Sequence, residues 1–211
     1  INAAPVLDPI PTPQVVAEQD SLIFAISASD PDQTYPILTA EQLPTNASFA
    51  DSGNGNGGFY FYPVYGQFGP YDILFIADDG EFSDSQYVHI DVTETNQAPV
   101  LSPIDSQTVA EGDTLNLVIS ASDPDLTFPF FIAFDLPVNS SFYDSGNGNA
   151  LFEFEPDYTQ AGEYTVTVIA SDGSLSDTGY INITVVHTNV SPILDLIGSQ
   201  SVDEGSHLEF V

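Results

Sequence analysis

One stretch of this chain is written twice and begun a third time, and no other feature limits its fold as much. Asp30-Pro31-Asp32 returns as Asp123-Pro124-Asp125, 93 residues on. Leu43-Pro44 with Asn46 and Phe49 returns as Leu136-Pro137 with Asn139 and Phe142, and the hexapeptide from Asp51 to Asn56 returns unchanged from Asp144 to Asn149. Asp79-Gly80 becomes Asp172-Gly173, and Asn96-Gln97-Ala98-Pro99 becomes Asn189-Val190-Ser191-Pro192. Ala17-Glu18 recurs as Ala110-Glu111 and a third time in Asp203-Glu204-Gly205, within a copy that stops at Val211. A period of this length makes each copy a folding unit that contacts mainly its neighbours. The expected division is 1–95, 96–188, and a remainder, 189–211, holding a linker and the first strands of a third module.

Inside each copy the hydrophobic period is two. Tyr164, Val166 and Val168 alternate with Thr165 and Thr167, which buries one face of a strand and wets the other. Short runs rich in Ile, Val, Phe and Tyr (22–28, 59–62, 71–77 and 88–92, with counterparts at 115–121, 151–154, 164–170 and 180–186) are bounded by Pro, Gly, Asn and Asp. Such bounded runs read as strands. About seven of them in about 93 residues predict an all-β fold of two-sheet β-sandwiches in tandem, end to end. The Asn-Gly dipeptides within 51–58 and 144–149 suit turns with positive φ.

Charge narrows the partners. The 211 residues contain 31 Asp and Glu, three His, and no Lys, Arg, Cys, Met or Trp, for a formal charge of −31. Without cations no phosphate backbone can be neutralised, so nucleic acid is excluded and an anionic membrane disfavoured. The chain is nevertheless 42% hydrophobic and 12% aromatic, more than a disordered acidic chain carries. No run is apolar enough to span a bilayer and no leader opens the sequence. Self-repulsion at −31 makes bound cations the expected remedy.

The acids fall at strand ends and joints. Glu18 closes the first strand region, Asp30 and Asp32 follow the second, Asp79 follows the 71–77 strand, and Asn96 lies in the Pro-marked joint. Sandwich loops cluster at the two ends, so these groups face neighbouring modules. Oxygen donors without nitrogen or sulfur among them favour Ca²⁺, which takes about 6 to 8 oxygens.

The order Val-x-Glu, Asp-Pro-Asp, Leu-Pro with a following Phe, Ser-Asp-Gly and Asn-x-Ala-Pro resembles the cadherin-like domains of dystroglycan and of bacterial surface proteins, across both copies and the third. The resemblance implies seven-stranded Greek-key, Ig-like sandwiches with Ca²⁺ between successive modules. It implies that Glu18, Asn96, Asp123, Asp125 and Asp172 serve one joint, and Glu111, Asp157 and Asn189 the next. Asp30, Asp32 and Asp79 would serve a joint with a preceding module. Asp157 matches the Asp of the cadherin Leu-Asp-Arg-Glu motif, but the first copy has Val64 there and neither copy keeps the Glu, so fewer ions per joint are expected.

The remaining residues point away from catalysis. His89, His187 and His207 match Asn182, Glu94 and Thr114 in the other copies, so they build no shared site and read as exposed strand or linker residues. No Gly-x-Ser-x-Gly elbow occurs, and a module of about 93 residues leaves little room for a carboxylate cleft. The aromatic run 59–62 reads as core alternating with surface, because Tyr60 and Tyr62 become Glu153 and Glu155. A glycan- or protein-binding role for that Tyr-rich face or for the loops is the alternative. Asn46, Asn139, Asn182 and Asn189 open Asn-x-Ser/Thr sequons and are the glycosylation candidates. The expected role is a structural or adhesive segment of a large extracellular or cell-surface protein or filament. Its expected partners are adjacent repeats, like chains, or a cell-surface glycan or protein.

Overall fold

A computed structural model describes residues 2–209. The chain falls into two compact units, Ile1–Asn96 and Gln97–Val211, and the described residues form four four-stranded sheets, two in each unit.

In the first unit the strands are β1 (Val6–Leu7), β2 (Gln14–Ala17), β3 (Leu22–Ser29), β4 (Ile37–Glu41), β5 (Ala47–Asp51), β6 (Asn56–Phe61), β7 (Gly69–Asp78) and β8 (Ser83–Thr93). They make one sheet ordered β1-β3-β6-β5 and another ordered β2-β8-β7-β4. The second unit repeats this with β9 (Val100–Leu101), β10 (Gln107–Ala110), β11 (Leu115–Ser122), β12 (Phe130–Phe134), β13 (Ser140–Asp144), β14 (Asn149–Phe154), β15 (Gly162–Ser171) and β16 (Ser176–Val186). Its sheets run β9-β11-β14-β13 and β10-β16-β15-β12.

The seven-stranded expectation holds with one refinement. The first strand of each unit is broken in two, so that β1 pairs antiparallel with β3 while β2 pairs parallel with β8. Pro9, Pro11 and Pro13 lie in the first break and Pro103 in the second. Proline has no N–H to give a ladder, which frees the chain to cross from one sheet to the other.

Each unit encloses its own core. Phe59, Phe61, Ile73, Phe75, Val88 and Ile90 fill the first, and Phe152, Phe154, Val166, Val168, Ile181 and Ile183 fill the second. Period-2 alternation places the Phe59 and Phe61 rings inside, while Tyr60 is exposed and Tyr62 half-buried, as the aromatic run implied. At the start of β7 the Tyr71 hydroxyl donates to the Gln67 carbonyl at 2.9 Å, and Tyr164 does the same to Gln160 at 2.9 Å. This tyrosine corner pins the crossover between sheets in Greek-key sandwiches.

The strands expected for the third copy are not formed: residues 187–209 hold no strand, only a turn in which Ser206 N–H donates to the Asp203 carbonyl at 3.0 Å. In both full copies these strands take their ladder from partners later in the copy, β6 and β8 in the first. No counterpart of either follows within the 211 residues. The part of that reading that reaches Phe210 and Val211 lies outside the described residues.

Candidate functional site

Each unit has an acidic entry end, where the chain arrives, and an acidic exit end, where it leaves. At the entry end of the first unit, Asp30 follows β3 and is buried; its carboxylate accepts the Asp32 N–H at 2.7 Å and the Thr34 hydroxyl at 2.7 Å. Asp123 repeats this with Asp125 at 2.9 Å and Thr127 at 3.0 Å. The second Asp of each pair then receives the incoming backbone. Asp32 accepts the Ala3 N–H at 2.6 Å, and Asp125 accepts the Gln97 N–H at 2.6 Å and the Gln97 side-chain amide at 3.2 Å.

Asp79 closes the β7–β8 turn. One oxygen accepts the N–H groups of Glu81 and Phe82, both at 2.8 Å, and the other accepts the Asn2 amide at 3.1 Å. The Phe82 and Glu81 N–H groups hold its carboxyl below the usual range. Asp172 accepts Ser174 and Leu175 N–H at 2.6 and 2.7 Å. The structure thus gathers Asp30, Asp32 and Asp79 around the entry segment of the first unit, and places Asp123, Asp125 and Asp172 on the equivalent loops of the second.

Sequence reading missed Asn2 and Ala3 as members of this set. Asn2-Ala3-Ala4-Pro5 precedes Val6 as Asn96-Gln97-Ala98-Pro99 precedes Val100. The spacing there is 94, not 93, because the loop from Leu7 to Gln14 is one residue longer than that from Leu101 to Gln107.

At the exit end, Glu18 follows β2 and is only 3% exposed. One oxygen accepts Gln67 and Phe68 N–H at 2.8 and 3.0 Å, and the other accepts Thr95 N–H at 3.1 Å. Glu111 repeats this at the second exit with Ala161 at 2.9 Å, Thr188 at 2.9 Å and the His187 ring at 2.8 Å. The Thr188 N–H is the main cause of its lowered pKa. Asp157 is exposed and caps its own turn, accepting the Thr159 hydroxyl at 2.6 Å, which holds its carboxyl down. Asn96 ends the first unit, and Asn189 is exposed in the segment after β16.

A carboxylate offers about four lone-pair sites. Glu18 and Asp79 each spend three on N–H donors, whereas Asp32 spends one on Ala3. Among the described residues no three His, Asp or Glu side chains gather closely enough to hold a metal ion alone. A calcium ion at either end would therefore complete its shell from backbone carbonyls, amide oxygens or water. Apart from the His187 ring beside Glu111, the side-chain donors at these ends are hard oxygens, the kind calcium takes.

The remaining candidates fall elsewhere. His89 lies on β8, with its ring 2.7 Å from Asp72 and 3.1 Å from Asp91; a chain without Lys or Arg does hold an ion pair when this ring is protonated. The sequon residues Asn46, Asn139, Asn182 and Asn189 are all exposed. Asn46 and Asn139 have φ of 69° and 66°, and their side-chain amides donate to Gln67 at 3.1 Å and Gln160 at 2.8 Å. Other acids are staples that spacing did not disclose. Asp84 and Asp177 accept Leu7 and Leu101 N–H, both at 2.9 Å, and Asp51 and Asp144 accept Leu38 and Phe131 N–H, both at 3.2 Å.

Residues 96–184 match the family described as bacterial Ig domain. No curated protein matches the chain. Among solved structures, an endo-fucoidan hydrolase from glycoside hydrolase family 107 is 19% identical with a TM-score of 0.40, covering 88% of this chain; the chain spans only 29% of that protein's length. The titin domains Z1Z2 in complex with telethonin are 14% identical, TM-score 0.44, over 90% of this chain and all of that one. The N-terminal Ig1-2 module of the Drosophila receptor protein tyrosine phosphatase DLAR is 14% identical, TM-score 0.38, over 87% of this chain and all of that one. No helix in the described residues is long and apolar enough to cross a membrane.

Proposed function

We propose that this chain is a non-catalytic, structural or adhesive segment of an extracellular or cell-surface protein, built from Ig-like modules in tandem and stiffened by calcium at the module ends. The observation that carries the reading is the repetition of the acidic ends. Asp30, Asp32 and Asp79 in one unit, and Asp123, Asp125 and Asp172 in the next, occupy equivalent loops in a chain with no Lys or Arg. The bacterial Ig-domain match over the second unit supports the surface setting.

Asp32 and Asp125 would give calcium their spare lone pairs, with Asp30 and Asp123 behind them and Asn96 and Asn189 adding amide oxygens. Glu18 and Glu111 would join through the one lone pair each keeps, and Asp157 would contribute at the second exit. Calcium supplies the positive charge that the side chains lack and turns carboxylate repulsion into coordination. The protein's own part is to fix the loop geometry through backbone N–H groups, so that little ordering remains when an ion arrives.

Solution scattering with calcium and with chelator tests the stiffening. A longer, narrower distribution of particle dimensions in calcium supports it, and identical profiles refute it.

A further inference from the structure

On its strands the outward face of the β10-β16-β15-β12 sheet carries one acid, Glu163, whereas the same face of the first unit carries four. Three strands set the comparison. Phe130, Ile132 and Phe134 on β12 pair across to Ser171, Ile169 and Thr167 on β15, and Thr167 and Ile169 pair across to Tyr180 and Thr178 on β16. In the first unit the equivalent outward positions hold Glu41 where the second has Phe134, Asp78 where it has Ser171, and Asp72 where it has Thr165. Asp91 stands at the position of Thr184, and His89 at that of Asn182. One module design thus has a version of this face with four acids and a more aromatic one with a single strand acid.

The acid-poor version is also exposed. Phe130, Phe134 and Tyr180 are 43%, 50% and 55% accessible, and Ile132 is 43%. At about 150–250 Å² for a buried aromatic residue, the three rings alone leave on the order of 300 Å² of apolar surface in water. On the free edge of β12 Asp144 already accepts the Phe131 N–H at 3.2 Å, and the flat face offers the larger open apolar surface.

We infer that this face docks onto the same face of a second copy of the chain. The charge pattern chooses the occupant. A basic partner would gain from the acids that the first unit keeps, so removing them works against it. Removing them favours an acidic or uncharged partner over a basic one, and of these a second copy, which brings −31 of its own, also carries the matching apolar rows. An isologous two-fold contact also sets apolar rows against apolar rows. Glu163 stands toward one end of the face, where it accepts the Thr184 hydroxyl at 2.9 Å, and Asp135, just past β12, reaches the Thr167 hydroxyl at 3.5 Å. Their repulsion, screened over a Debye length of about 8 Å at physiological salt, makes the contact stronger as salt rises. A patch below the ~800 Å² per partner of a standard interface places the dimer in the weak, transient class.

This inference does not depend on calcium, and sedimentation equilibrium of the 211-residue chain in chelator tests it. The expected result is a monomer–dimer equilibrium that tightens with salt. It should be lost in Ile132→Glu/Tyr180→Glu, and also in Thr165→Asp/Ser171→Asp, which restores residues that the first unit carries at these places. Tyr87→Glu, at the first-unit position equivalent to Tyr180, should leave it unchanged, and melting curves check that each variant is folded. A wild-type chain that is monomeric at every concentration reached overturns the second copy as occupant and leaves the face to an unlike acidic or neutral partner. A dimer that survives both second-unit double variants overturns the face itself.

Discussion

Glu18 and Thr95, 77 residues apart, are tied twice: the Thr95 N–H donates to the Glu18 carboxylate at 3.1 Å and the Thr95 hydroxyl to the Glu18 carbonyl at 3.0 Å. Glu111 and Thr188 repeat both bonds at 2.9 and 3.0 Å. The clasp joins the strand that enters each module to the residue by which the chain leaves it. Glu18→Ala removes a buried acceptor from three N–H groups and should lower the stability of the first unit by about 2–4 kcal/mol. Denaturant unfolding of the full chain should show one transition moved and the second in place.

The tyrosine corner is a smaller and cleaner test. Tyr164→Phe keeps the ring packing, in which the Phe154 and Tyr164 centroids lie 5.6 Å apart, and removes only the bond to the Gln160 carbonyl. A loss of about 1 kcal/mol is expected. Phe152→Ala, at a fully enclosed position, should cost about 3–5 kcal/mol. The ratio of the two midpoint shifts reports whether packing or the corner bond dominates the second unit.

Asn139 separates backbone geometry from sequon chemistry. Its φ of 66° is a left-handed conformation that costs most side chains about 1 kcal/mol or more and glycine nothing. Asn139→Ala should therefore lower the melting temperature more than Asn139→Gly, although both destroy the sequon. Equal shifts would assign the residue's importance to its amide contact with Gln160 instead.

Acid and base should act on different residues. The folded pKa of Asp79, Glu111 and Asp157 lies below the unfolded values of 3.8, 4.5 and 3.8. Their stabilisation is present above those values and is lost as pH falls through the folded ones. The hydrogen bond to Asp72 raises His89 above 6.5. Its stabilisation is full below 6.5 and is lost as pH rises through the folded value. The melting-temperature difference between wild type and His89→Gln should accordingly be larger below pH 6.5 than well above it, and Asp72→Asn should bring the His89 titration down when followed by NMR.

The repeat was legible because the body of each module keeps one spacing: Leu22 and Leu115, Gly69 and Gly162, and Ser83 and Ser176 open equivalent strands 93 residues apart. The entry segment was not, because one extra residue before Gln14 moves Asn2 and Ala3 off that spacing. The ends were legible as acidic but not as stapled. A carboxylate at a strand end serves equally as a metal ligand or as an acceptor for backbone N–H, and only coordinates separate Asp32, which accepts one such bond, from Asp79, which accepts two beside the Asn2 amide. Tyr71 and Tyr164, each four residues after a Gln, carried a signature of the fold that strand patterning does not use. The bare face around Phe134 was hidden because its residues alternate along strands whose outward side pattern alone does not assign to a neighbour.

Thermal melting in millimolar calcium and in chelator, on the wild type and on Asp123→Asn/Asp125→Asn, tests calcium binding at the module ends most directly. With dissociation constants of about 10⁻⁴ to 10⁻³ M, as extracellular modules have, millimolar calcium stabilises by on the order of 1 kcal/mol per site. The wild-type second unit should melt higher in calcium, and the double variant should lose the share of that rise that its entry end supplies while the shift of the first unit stays. Superimposable wild-type curves with and without calcium would contradict the account.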